Sequence, residues 1–391
     1  MSESLDRLFK TALFRIVASA LGFLTAVITS RYLGPDGRGV LALFMNTVIT
    51  IVAFSGSFQA SIVYFVGTKG EDHRPILRNL ILVALLSAIA STLAVVIFAP
   101  LRPYLLALPI AVFFFSLVLY AEGLAYARDH LIRANLLKSL PSILSFVLIA
   151  TFFFLFNRKE VPVAIWLWTL GFPLTLLLLR VRLPILGGFR SDIMKKLISH
   201  GAFVALSTFI SRIFYRLDFF YLSKMKGDAI AGIYSVSMTV ADINFLIFNM
   251  ITTAFLGKMA GPDSRKYLKY GLAYTALLEI AYLLFLAAAG KPLIPLIFGH
   301  QFAPAFAPAL ILSLGILFYT LGSLIAIYIN VYVGKTYIPF VIAVIGLAFK
   351  GIVAYLLIME HGMAGGAISS LLSYTLTFIL FVYAYFRAVK A

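Results

Sequence analysis

Short clusters of charged and polar residues divide the chain into twelve apolar runs, at 10–30, 39–66, 77–99, 104–121, 135–156, 161–179, 199–223, 230–257, 268–289, 303–332, 337–358 and 363–386. Each is near or above the ~20 residues that an α-helix needs to cross a bilayer, so the pattern predicts an all-α polytopic membrane protein with about twelve transmembrane helices. An even number of crossings returns both termini to one side. The opening MSESLDRLFK is polar and leads into a run long enough to span, which reads as a first crossing rather than a cleavable signal peptide.

Two of the polar connectors resemble each other. Arg31-Tyr-Leu-Gly-Pro-Asp-Gly-Arg-Gly39 leads into an apolar helix containing Met45, and Lys224-Met-Lys-Gly-Asp-Ala-Ile-Ala-Gly232 leads into one containing Met238. At a constant offset of 193 residues, Gly34 falls on Gly227, Gly39 on Gly232, Met45 on Met238 and Arg31 on Lys224. A repeat of this length predicts two six-helix lobes, residues 1–186 and 187–391, running in the same direction as parallel repeats. The most charged connector, Arg180 to His200, lies between them. Its basic stretch Ser191–Ser199 reads as a short amphipathic helix on the membrane surface.

Composition agrees with membrane insertion: 62% of residues are hydrophobic and 12% charged, against about 25% charged in soluble domains. The net charge of +17 does not indicate nucleic acid, because the basic residues are scattered through short connectors. Nineteen lysines and arginines fall on the side of the termini and eight on the other, which places both termini in the cytoplasm. With no cysteine, disulfides, thiolate metal sites and cysteine nucleophiles are excluded. The external connectors are too short to build an extramembrane catalytic domain, so function is expected between the spans.

Candidate chemistry therefore rests on polar residues inside the spans, where a charge costs at least ~2.5–3.5 kcal/mol unless paired or hydrated. The basic ones are Arg15, Lys138, Arg212, Arg216 and Lys350; the acidic ones are Asp218, Asp242 and Glu279, with Glu122 at a span end. Arg15 shares a helical stripe with Thr11, Ser19 and Gly22, and either lines a cavity or reaches back to the interface. Arg212 and Arg216 lie one turn apart. Arg212 is roughly 20 Å into its span, too deep to reach either surface. Two guanidiniums on one helix face repel unless an anion or a carboxylate lies between them, so they read as an anion site or as partners of Asp242 or Glu279. Asp218 is about 200° from Arg216 around an ideal helix and is a poor partner within it. Lys350 and Glu279 read as a pair or as pathway residues. Aligned polar stripes on the second span, with Asn46 and Thr50, and on the eighth, with Thr239, Asp242 and Asn249, indicate a wet interior.

Three segments carry a family resemblance: SRYLGPDGRGVLALF, RLDFFYLSKMKGDAIAGIYSVS, and PLIPLIFGHQFAPAFAPALILSLG from Pro292 to Gly315. In this order and spacing they resemble the Wzx-type polysaccharide flippases of the multidrug/oligosaccharidyl-lipid/polysaccharide (MOP) exporter superfamily. The resemblance implies two six-helix lobes around a V-shaped cavity, alternating access, and cationic cavity residues that meet a lipid pyrophosphate. It also implies a structural or ion-related role for Asp218. The chain lacks the extra helical pair of the lipid II flippase branch, which argues against that substrate.

The expected function is translocation of an undecaprenyl-pyrophosphate-linked oligosaccharide from the cytoplasmic to the outer leaflet of a bacterial inner membrane, with no covalent chemistry. Arg15, Arg212, Arg216 and Lys350 would meet the pyrophosphate; Asp218, Asp242 and Glu279 would serve ion or structural pairing. No metal or cofactor is called for, and a coupling ion is left open between Na⁺ and H⁺. Expected partners are the lipid-linked glycan, the bilayer, and the polymerase and glycosyltransferases of the same biosynthesis; nucleic acid is not one. A multidrug/cation antiporter of the same fold is the alternative, disfavoured by the slight basic excess of the deep charges. A membrane glycosyltransferase or polymerase is less consistent still, because no catalytic acids cluster in the connectors.

Overall fold

A computed structural model describes residues 2–184, 188–259, 261 and 263–390, with side chains for 16–184, 188–255, 259, 261 and 263–387. Among the described residues there are helices and no strands. In chain order they are α1 (Ser2–Ser55), α2 (Gln59–Ile62), α3 (His73–Ser91), α4 (Leu93–Ile97), α5 (Ala107–Ala127), α6 (Leu131–Phe154) and α7 (Val161–Leu178). There follow α8 (Ser191–Lys226), α9 (Asp228–Ala241), α10 (Ile243–Met259), α11 (Ser264–Phe298), α12 (Phe306–Tyr328) and α13 (Tyr337–Lys390).

Ten helical stretches among the described residues are long and apolar enough to cross a membrane. Two of them, Ile16–Thr68 and Tyr337–Arg387, hold 53 and 51 residues. A straight helix of that length would measure about 80 Å, far more than the ~30 Å hydrocarbon layer, so each must break. The breaks are at Gly34 (φ 67°) and Gly362 (φ 55°), in backbone conformations that disfavour a Cβ. Counting each broken stretch as two crossings gives about twelve, in agreement with the twelve apolar runs. Side chains such as Leu86, Leu93 and Val96 are exposed, as lipid-facing residues are.

The linker differs from the expected surface helix. Ser191–Ser199 forms no separate element; it is the first part of the 36-residue α8, which continues through the seventh span to Lys226. At about 54 Å this helix exceeds the membrane thickness, so its charged first turns can project from the bilayer while their hydrogen bonding stays internal to the helix. Asn79 fastens this region, exchanging hydrogen bonds with the Arg190 backbone at 2.7 and 3.2 Å.

The chain divides into two compact units. The first comprises Met1–Leu33 and Val40–Arg212, the second Gly34–Gly39 and Ile213–Ala391. The 186/187 boundary expected from the sequence lies outside the described residues. In the first unit α5 packs on α3, α6 and α7; in the second, α12 is central, packing on α9, α11 and α13.

The two repeated glycine turns meet inside the second unit. A Cβ on Gly39 would overlap the carbonyl of Asp228, and one on Gly232 would overlap the carbonyl of Pro35. Pro35 and Asp228 are themselves related by the 193-residue offset, so the contact is symmetric: each turn presses its glycine onto the carbonyl of the other. Such close backbone approach is how small residues hold membrane helices together.

Candidate functional site

The deep charges of the second unit resolve into two linked ion pairs. Arg216 pairs with Asp242, which also accepts a hydrogen bond from Tyr215, while the Arg216 guanidinium lies 4.4 Å from the Tyr215 ring centre. Asp242 sits at the junction of α9 and α10, where the helix is interrupted and the acid can turn toward α8. Lys350 pairs with Asp218 at 3.1 Å, and both side chains are essentially inaccessible. The second oxygen of Asp218 accepts from Tyr234 and from Ser370 at 2.9 Å. Lys350 also lies 4.9 Å from the ring centre of Tyr374.

This network satisfies what a buried pair requires, since the carboxylate is met by a cation and two hydroxyls at once. Arg216 and Asp218 do not pair with each other; each takes its partner from elsewhere in the second unit, Asp242 and Lys350 respectively. Both line a small cavity of about 10 Å³ with Tyr215 and Tyr374, roughly the space of one water molecule.

Arg212, one turn before Arg216, belongs to the first unit and has a different partner. It is half-buried, and its guanidinium donates to Asn46 Oδ1 at 3.4 Å. Asn46 in turn donates to the carbonyl of Ala42 at 2.9 Å. Thr50 is buried on the same helix face. Glu279 is not joined to Lys350 or to either arginine; it accepts a hydrogen bond from Thr320 at 2.9 Å. Asn249 is exposed, and Thr239 bonds back to the Ser235 carbonyl at 2.8 Å. The side chain of Arg15 lies outside the described residues.

Sequence reasoning missed one buried cation. Arg38, counted there among external connector charges, is 6% exposed and donates to Ser235 at 3.1 Å and Thr239 at 3.5 Å. The signal was present: Arg38 directly precedes Gly39, one residue from the helix the turn leads into, and the matching turn places hydroxyls one turn apart at Ser235 and Thr239. The tyrosines around Asp218 and Lys350 were also missed, because a Tyr in an apolar run looks like any other large side chain.

A model of the polysaccharide biosynthesis protein family matches residues 5–258 of the chain. No curated protein matches it by sequence. Among solved structures, the lipid II flippase MurJ in an inward closed conformation matches with a TM-score of 0.80 at 14% identity, over 98% of this chain and 88% of that one. An inward-facing multidrug resistance MATE family transporter of the MOP superfamily matches with a TM-score of 0.78 at 16% identity, over 97% and 98%. The MATE transporter VcmN of Vibrio cholerae matches at 0.65 and 14%, over 100% and 98%. The fold is that of these transporters, and by its sequence the chain belongs to the polysaccharide biosynthesis protein family.

Proposed function

We propose that this protein moves an undecaprenyl-pyrophosphate-linked oligosaccharide across a bacterial inner membrane, from the cytoplasmic to the outer leaflet, by alternating access. The family match over residues 5–258 is the observation that carries the reading. The fold adds a transporter architecture, and Arg212 adds a guanidinium, always charged and suited to phosphate oxygens, held within a span beside a neutral amide. A cation antiporter is favoured by the MATE likeness in fold. It fits the charges less well, because Asp218 and Asp242 are already occupied by Lys350 and Arg216.

The test is complementation of a bacterial strain that lacks its own exporter and accumulates the lipid-linked glycan. Expression of the protein is expected to restore surface polysaccharide. Unchanged accumulation with normal membrane expression, together with resistance to cationic drugs, would favour the antiporter.

The same proposal places both termini in the cytoplasm. Because the chain contains no cysteine, single cysteines at Lys195 and Lys291 report on sidedness directly. Lys291→Cys is expected to react with an impermeant maleimide in intact spheroplasts, and Lys195→Cys only after permeabilisation. The opposite pattern would invert the topology.

A further inference from the structure

The second unit carries an apolar groove of about 420 Å³ between α11, α12 and the end of α13. α11 contributes Leu272 and Ala276, α12 contributes Ile325, and α13 contributes Phe378, Val382 and Tyr385. The lining on α13 continues to Phe386, eight residues beyond Phe378 on the same side, so the groove runs for roughly 12 Å along the helix. In a membrane-crossing helix that is also the direction of the lipid chains. The walls are held in place, because Leu272 and Tyr385 pack against the buried cluster of Met259, Leu268, Leu324 and Tyr328. Apart from the Tyr385 hydroxyl, no lining side chain is polar.

One end of the groove is basic. The first turns of α11 carry Arg265, Lys266 and Lys269, and Lys269 stands one turn before Leu272 and Ala273 on the same helix face. Arg265 is a turn earlier and lies within electrostatic reach of the Tyr385 hydroxyl, so the start of α11 and the end of α13 meet here. All three basic side chains are exposed, and among the described residues none has a carboxylate partner. The acid nearest in sequence is Asp263, at the N-cap of α11. Positive charge at the start of a 35-residue helix adds to the positive end of its dipole, and an anion placed there relieves both. Arg387, 5.1 Å from the ring centre of Tyr383, adds a further cation at the end of α13. The exposed rings of Tyr270, Tyr274 and Tyr383 mark this level as a membrane–water interface, where lipid headgroups lie.

We propose that this groove binds an anionic glycerophospholipid, with one acyl chain against Ala276, Ile325 and Phe378 and the headgroup phosphate met by Lys269 and Arg265. The occupant is a resident lipid of the leaflet and not the cargo. A lipid-linked glycan needs a polar path for its sugars, and beyond Tyr385 the groove offers only hydrocarbon. A zwitterionic lipid fills the same hydrocarbon space but brings no net charge to the basic end. An anionic one satisfies both parts of the site, and by bridging α11 and α13 it offsets the repulsion among the bases gathered there.

The test is native mass spectrometry of the purified full chain in detergent. The probes are palmitoyl-oleoyl phosphatidylglycerol, the phosphatidylcholine bearing the same chains, and undecaprenyl phosphate. Phosphatidylglycerol is expected to remain bound at a concentration roughly tenfold below that needed for phosphatidylcholine. Lys269→Gln and Arg265→Gln, both at exposed positions, are each expected to weaken phosphatidylglycerol by roughly fivefold, the effect of one basic residue at a headgroup, and to leave phosphatidylcholine unchanged. Ala276→Phe, which fills the groove, is expected to weaken both phospholipids; if it does not fold, Ala273→Phe at the exposed edge takes its place. Equal retention of the two phospholipids, or charge variants that alter neither, overturns the assignment. Tighter retention of undecaprenyl phosphate than of phosphatidylglycerol overturns it in favour of an isoprenoid carrier, and a dimer that dissociates as lipid is added overturns it in favour of a second copy of the chain. Because the measurement involves no export, a failed complementation leaves the lipid site standing, and a failed lipid preference leaves the transport reading standing.

Discussion

Lys350→Met is expected to destabilise the protein by about 3–5 kcal/mol, the usual cost of removing one partner from a buried ion pair. Lys350 is fully buried and Asp218 nearly so, so bulk solvent does not take the place of the missing ammonium. Tyr234 and Ser370 would still donate to the carboxylate, which reduces the penalty without supplying a counter-charge. Asp218→Asn should cost a similar amount by stranding the lysine. The double variant Lys350→Met, Asp218→Asn should recover most of the loss, since it removes both charges together. Thermal melting in detergent, read by a size-exclusion or fluorescence assay, gives the three values. Additive losses in the double variant would show that the pair does not act as a unit.

Arg212→Gln and Arg216→Gln are expected to separate transport from folding. If Arg212 meets a pyrophosphate, its loss removes charge-assisted bonds of ~1.5–3 kcal/mol and lowers export by roughly one to two orders of magnitude. Its neighbour Asn46 is neutral, so the variant should reach the membrane in normal amounts. Arg212→Lys should restore export only in part, because it keeps the charge and loses the planar fork. Arg216→Gln should instead lower the amount of folded protein as well, since it deprives Asp242 of its cation. Complementation with membrane expression measured in parallel distinguishes the two. Normal export by a normally expressed Arg212→Gln protein would remove Arg212 from the anion-binding reading.

The parts of the fold that could be read from sequence are those set by the solvent. A bilayer accepts only long apolar helices, so the runs alone located about twelve crossings, and the glycines at 34 and 362 fell where the chain reverses. Pairing could be read only within one helix: the angle between Arg216 and Asp218 follows from helical geometry, and it correctly denied them to each other. Which distant side chain completes each pair depends on how helices rotate against one another, and no periodicity encodes that. Thus Asp242 was among the partners considered for Arg216, whereas Lys350 was linked with Glu279 and found beside Asp218. The cavity of about 560 Å³ in the first unit was not legible for a related reason: its lining comes from α1, α2, α5, α6 and α7, and no periodicity brings those stretches together.

The contact between the two glycine turns has a meaning for the history of the chain. Each turn presents the same surface to the other, Gly39 against Asp228 and Gly232 against Pro35. That is the isologous arrangement found in two-fold symmetric homodimers, where one patch must be complementary to itself. A half-length ancestor carrying a single such turn could have made this contact with a second copy before duplication joined the copies in one polypeptide. Fusion would then have freed the rest of each half to diverge, as the ion pairs found in the second unit have done. The fastener itself could not drift, because a side chain gained on either glycine meets the backbone of the other turn.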